Sequence, residues 1–180
     1  NSAVFQKYFI YKAKMLGMKK LRRYDLYAPA MKKIKQKTYT YDQAVKLVLR
    51  TLNSFSPKLS EFAKTVFVQK HIDSSIRLGK RSGAFCNPVA PKITPYVLVN
   101  FKGKSNDVFT LAHELGHAIH SDAASDKSIF VQEASLPLAE TASTFSELLL
   151  FDEILGKVTD DEKRAILAEQ IDDLYSTVMR

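Results

Sequence analysis

Thr110-Leu111-Ala112-His113-Glu114-Leu115-Gly116-His117-Ala118-Ile119-His120 decides the reading of this chain. On a helix, residues four apart lie on one face a turn apart. His113 and His117 can therefore aim ring nitrogens at a single metal ion, each at about 2.0–2.1 Å. Glu114 follows the first histidine, where its carboxylate can reach a water on that ion without being a ligand. Leu111, Ala112 and Ile119 flank the polar pair and would bury the helix, which argues against two histidines that are merely polar surface.

The spacing is the His-Glu-x-x-His arrangement of zinc peptidases. Zinc lowers the pKa of a bound water towards about 7 and polarises a scissile carbonyl, and Glu114 would shuttle the proton as general base. A catalytic zinc needs a third protein ligand and an open position. The metzincin solution would require Gly at 120 and His at 123; the chain has His120 and Ala123, which excludes it. A glutamate from a following helix is the alternative, and Glu133, Glu140 and Glu147 stand at seven-residue spacing, so spacing alone leaves all three open. Context favours Glu140: Ala139 and Ala142 are small enough for close helix approach, and Ser143 and Thr144 could hydrogen-bond the ligands. Glu147, two turns on, is the candidate outer partner of a ligand histidine. Glu133 reads as loop or surface. His120 could support the site or face substrate, whereas a fourth ligand there would close it. His71 reads as surface or helix cap, and Cys86 as a small core residue rather than a nucleophile.

Outward from the motif, helical periodicity dominates. Helices are expected at Ala3–Arg23, with Val4, Tyr8, Tyr11, Met15 and Met18 on one stripe; at Tyr41–Ser54, with Ala44, Leu47, Val48 and Leu52; and at Leu59–His71 after Ser56-Pro57. Tyr24–Ala30 reads as loop. Between Gly79 and Pro95 the Gly and Pro content breaks the pattern, leaving short strands at Ser82–Cys86 and Tyr96–Phe101. The motif helix should run from about Asp107 to Ala123, then a loop, a helix near Ser135–Leu155, and a last one capped by Thr159-Asp160-Asp161-Glu162. The fold class is mainly α-helical (α+β), with a small β element before the motif helix.

At 180 residues and 46% hydrophobic content the chain can bury a core. No run of 18 apolar residues is present, so no membrane span is expected, and no signal peptide is visible. A single cysteine fits a reducing, cytoplasmic compartment. The net charge of +8 is uneven: residues 1–104 carry 22 Lys and Arg against 4 Asp and Glu, and residues 105–180 carry 5 against 15. The clusters Met18–Arg23 and Met31–Lys35 invite a nucleic-acid-binding module in residues 1–79; solvated basic faces, compensated by the acidic half or by other parts of a larger protein, are the preferred reading. The start at Asn1 and the stop at Arg180 inside a helical pattern suggest a piece of a longer chain.

Three runs together resemble a known family: Lys80–Cys86, Pro95–Phe101, and Asn106–Ser121, joined by Leu138–Glu147. They are similar to oligoendopeptidase F, in the thimet-oligopeptidase superfamily of gluzincin-type zinc metallopeptidases. The resemblance implies a zincin-like catalytic core, one zinc ion per chain held by His113, His117 and Glu140, and Glu114 as base. It also implies short peptide substrates, admitted by a channel between helical lobes. Zincins hold such peptides along an edge strand, and by position Ser82–Phe85, with Gly83 and Ala84, is the candidate. Residues 80–180 would then be the zinc-binding core and residues 1–79 a basic helical segment of the same catalytic domain. Full-length members carry N- and C-terminal lobes, the latter with a histidine and tyrosines that stabilise the oxyanion. Nothing after Glu147 fits that role here, so weak hydrolysis by the chain alone is expected.

Overall fold

The computed structural model describes residues 2–26, 28 and 37–178; the basic cluster Met31–Lys35 lies outside them. The chain is mainly α-helical with one small sheet, as the periodicity indicates. In order it forms α1 (Ser2–Met15), a short 3₁₀ turn (Arg23–Asp25), α2 (Tyr41–Phe55), α3 (Pro57–Val68), β1 (Ile72–Asp73), β2 (Phe85–Asn87), β3 (Tyr96–Leu98), α4 (Ser105–Ala123), α5 (Ile129–Gln132), α6 (Leu136–Leu155) and α7 (Asp160–Val178). Two compact units result, one of Asn1–Lys35 with Lys157–Arg180, the other of Gln36–Gly156.

The Gln36–Gly156 unit is organised around α4. Val108, Leu111, Ala112, Leu115, Ala118 and Ile119 are buried on it, and each large one contributes about 1.5–3 kcal/mol of burial. They meet Ala44, Val48 and Leu52 of α2, Ala63 and Val66 of α3, Val97 of β3 with Val99 just beyond it, and Leu150 of α6. The ends of these helices follow from local chemistry. Thr40 and Gln43 cap α2 reciprocally, Thr40 Oγ1 accepting from the Gln43 N–H (3.2 Å) and Gln43 Oε1 from the Thr40 N–H (2.9 Å). Pro57 opens α3 at its first position. Asp107 Oδ2 accepts the N–H groups of Lys102 (2.7 Å) and Lys104 (2.9 Å) at the start of α4. Arg50 and Glu153 tie α2 to α6 at 3.0 Å.

The sheet has the order β1-β3-β2, β1 running parallel to β3 and β2 antiparallel to it. Here the structure corrects the expected boundaries. The third helix stops at Val68 rather than His71: Lys70 takes a positive φ of 58°, and His71 and Asp73 give their carbonyls to Val97 (2.8 Å) and Val99 (3.0 Å). The two-residue strand β1 is too short to show periodicity. β2 starts at Phe85 rather than Ser82, because Gly83 (φ 82°) bends the chain before pairing begins. Lys80, its side chain 2% exposed, pins this corner: its Nζ donates to the carbonyls of Asp73 (3.0 Å), Ser75 (2.8 Å) and Val99 (2.7 Å) and to Asp73 Oδ1 (3.1 Å). The expected loop after α4 contains α5.

In the other unit α1 ends at Met15, not Arg23. Met18 donates to the Ala13 carbonyl (2.8 Å) across Gly17 at φ 68°, a glycine stop. Of the expected stripe only Tyr8 is buried; Val4, Tyr11 and Met15 are exposed. The helix turns Tyr8, Lys12 and Ala13 inward because Asp172 of α7 takes both the Lys12 ammonium (2.8 Å) and the Tyr8 hydroxyl (2.6 Å), with the Leu26 carbonyl also on Lys12 (2.5 Å). Thr159 and Glu162 cap α7 as expected.

Candidate metal centre

The two motif histidines sit on successive turns of α4, and α6 crosses close beside them. Nε2 of His113 and Nε2 of His117 are 3.2 Å apart, and Glu140 Oε2 lies 3.4 Å from the first and 3.8 Å from the second. Three ligand atoms placed tetrahedrally about 2.0–2.1 Å from one centre would be ~3.3 Å apart, so this triangle has the dimensions of a three-ligand metal site with one position left open. Among the described residues, these three form a His/Glu group able to hold a metal ion. Neither Glu133, exposed just after α5, nor His120 joins that group.

The rings are oriented from behind. His113 Nδ1 is hydrogen-bonded to Glu147 Oε1, so of the two motif histidines it is His113 that Glu147 contacts, which leaves Nε2 to face the cluster. That carboxylate raises the His113 pKa above its ordinary value, against the opposing effect of burial. His117 is shifted the other way, by burial and then by the neighbouring His113, and it is hydrogen-bonded to the backbone of Ala139. Ser143, fully buried, donates to Glu140 Oε2 and also lies 3.0 Å from its carbonyl, while Thr144 donates to the same carbonyl at 2.6 Å.

Glu114 is buried, and its pKa is pushed up to about 7, chiefly by burial, with His113 opposing and Glu140 and Glu147 adding to the rise. A carboxylate poised there can both accept and return a proton near neutrality. Its charge also reaches Cys86 on β2, whose thiol is pushed up to about 12, mainly by burial, and is thereby inert as a nucleophile. Gly83 and Ala84 immediately precede β2, which among the described residues pairs on one side only; Asn100 Nδ2 donates to the carbonyls of Arg81 (3.0 Å) and Gly83 (2.8 Å) and fixes this approach. His71 is not a free surface group: its ring stacks on Tyr96 at 3.9 Å and its Nδ1 meets the Thr94 carbonyl at 2.8 Å.

Three contributors lie outside the motif reading. One is the Ala139 backbone, which carries no side-chain signal. The second is Ser146, buried on α6. The third is Gly116, against which Ala142, Ser143 and Ser146 pack; a glycine inside a helix costs about 1 kcal/mol relative to alanine, and that is the signal it leaves in the sequence.

The family model described as Peptidase family M3 matches residues 2–180. Group B oligopeptidase PepB of Streptococcus agalactiae is 32% identical over 179 residues, covering 98% of this chain and 29% of its own length. Oligopeptidase PepF of Bacillus subtilis is 30% identical over 98% of this chain and 26% of its own. Among solved structures, a peptidase from Chlamydophila abortus superposes with a TM-score of 0.85 at 34% identity, over 100% of this chain and 30% of that one. An oligoendopeptidase F from Bacillus anthracis shares the fold at a TM-score of 0.77 and 18% identity, over 95% and 31%. The chain thus spans under a third of the length of these relatives. Among the described residues no helix is long and apolar enough to cross a membrane.

Proposed function

Because the chain belongs to peptidase family M3, we propose that it carries the zinc-binding core of an endopeptidase that hydrolyses internal bonds of short oligopeptides. The convergence of His113, His117 and Glu140 at 3.2–3.8 Å carries this reading. One zinc ion bound there would supply Lewis acidity towards a carbonyl and towards a water. Glu147 and the Ala139 backbone hold the two rings, and Ser143 holds the Glu140 carboxylate, so the ligands are oriented before metal arrives.

Glu114 then takes a proton from the attacking water as its oxygen bonds to the scissile carbonyl carbon. It returns that proton to the amide nitrogen as the C–N bond breaks, releasing an amine and a carboxylic acid, whose remaining proton the amine takes up in solution. The peptide would lie along the open edge of β2, entering past Gly83 and Ala84, with His120 half-buried one turn beyond His117. This reading assigns no oxyanion role to Tyr175, which is stacked on Tyr8 at 3.8 Å. Since such a donor is worth about 10²–10³ in kcat, the chain alone should hydrolyse peptides weakly, and full activity would come with the N- and C-terminal lobes of a longer protein. Residues 80–180 would carry the core and residues 1–79 a basic helical segment of the same domain, working in the reducing cytoplasm that a lone Cys86 suits.

Elemental analysis of the purified chain beside Glu140→Ala tests the reading. About one zinc per chain, lost or weakened in the variant, is expected. Equal zinc in both would move the third ligand elsewhere, and none in either after adding metal would defeat the proposal.

A further inference from the structure

We propose that Gly116 is a positioning residue for the metal centre: only without a Cβ there can α6 come close enough for Glu140 and Glu147 to reach the α4 histidines. The inference rests on the zinc-site reading above. A Cβ built on Gly116 would lie 2.7 Å from the Ala142 carbonyl oxygen, 2.7 Å from Ser143 Cα and 2.8 Å from Ser146 Oγ, where real Cβ contacts stay beyond 3.0 Å. Two of these atoms are backbone and cannot rotate away, so α6 itself must retreat by roughly half an ångström.

The displaced residues are those that set the ligands. Ser143 carries the hydroxyl that holds Glu140 Oε2 at 3.0 Å, and Glu147, one turn after Ser143, holds His113 Nδ1. Metal sites tolerate only about 0.2 Å in ligand distance, so a retreat of that size would open the triangle beyond what one ion can bridge without loss. The helix itself would gain from an alanine. Gly116→Ala should therefore separate metal affinity from helicity, which a residue with a purely structural role would not do.

Zinc affinity of the 180-residue chain would be measured by competition with a chromophoric chelator for wild type, Gly116→Ala, Ser146→Thr and Gly156→Ala. Far-UV circular dichroism would be followed in the same samples, and the Co²⁺ absorption spectrum would report ligand geometry. Gly116→Ala should keep its helical signal, lose tenfold or more in affinity and show an altered Co²⁺ spectrum. Ser146→Thr, which presses on the same contact from α6, should shift both in the same direction. Gly156→Ala has its nearest neighbours at 3.6 and 3.8 Å and should match wild type. Wild-type affinity in a folded Gly116→Ala would overturn the inference alone. Loss of fold in both Gly116→Ala and Ser146→Thr would also overturn it, since the contact would then set the fold and not the ligand spacing. Absence of zinc binding in wild type would overturn the function reading, and this inference with it.

Discussion

Lys80→Met should cost the Gln36–Gly156 unit about 3 kcal/mol, although Arg77→Ala, which removes the other cation from the same aspartate, should cost far less. Both side chains bond Asp73, Arg77 through two nitrogens at 2.7 and 2.6 Å and Lys80 at 3.1 Å. Distance alone would rank Arg77 first. Burial reverses the order: the Lys80 side chain is 2% exposed and that of Arg77 55%. Methionine would keep most of the Lys80 stem packing but strip the ammonium from the Ser75 and Val99 carbonyls, and a charged hydrogen bond contributes about 1.5–3 kcal/mol. The two losses are not additive, and Asp73, a third exposed, rehydrates in part. At about 2–4 °C per kcal/mol for this chain length, the midpoint should fall by roughly 6–12 °C for Lys80→Met and by much less for Arg77→Ala. Thermal and urea unfolding of both variants provide the assay. The acid limb adds a check. Arg77 first and Lys80 second hold the Asp73 carboxyl well below the ordinary carboxylate range, so its contribution is present above about pH 4 and is lost as pH falls below it. The gap between wild type and Lys80→Met should narrow there. Equal losses in the two variants, or less than about 1 kcal/mol for Lys80→Met, would refute the assignment of this stability to the buried ammonium.

At the metal centre, Glu147→Gln keeps the shape of the His113 partner but removes its charge; zinc affinity should drop about 10–100-fold in chelator competition with the helical signal unchanged, and an unchanged affinity would deny Glu147 its orienting role. Cys86, its thiol pushed up to about 12 from an ordinary 9, should react with iodoacetamide at pH 8 on the order of 10³-fold slower than in the urea-unfolded chain. The same shift means that the folded chain keeps a proton the unfolded chain gives up, so stability should decline as pH rises from about 9 towards 12, and Cys86→Ser should flatten that decline in urea titrations.

The motif helix was legible because its period is long and its chemistry is concentrated: five residues, His113 to His117, specify a turn, a face and a candidate chemistry. That Glu140 comes near the two histidines was legible from the small residues around it, although the tightest approach falls on the facing helix at Gly116, where the missing side chain leaves little signal. The sheet was harder to read. β1 has two residues and is defined by partners some 25 positions away, and β2 begins where Gly83 permits it and not where β propensity first rises. α1 departs from its pattern for a different reason. An apolar stripe does not reveal that a lysine turns inward, and Lys12 does so because Asp172 receives it.

That pairing has a consequence for how the chain is made. Tyr8 and Lys12 find Asp172 across 164 and 160 positions of sequence, while the whole Gln36–Gly156 unit lies between them. Synthesis proceeds at about 5–20 residues per second, so α1 waits roughly ten to thirty seconds for its counterpart. Through that interval Val4, Ile10 and Tyr11, which are exposed in this structure, are joined by a Tyr8 ring still unstacked. While it waits, α1 therefore offers a chaperone an apolar handle.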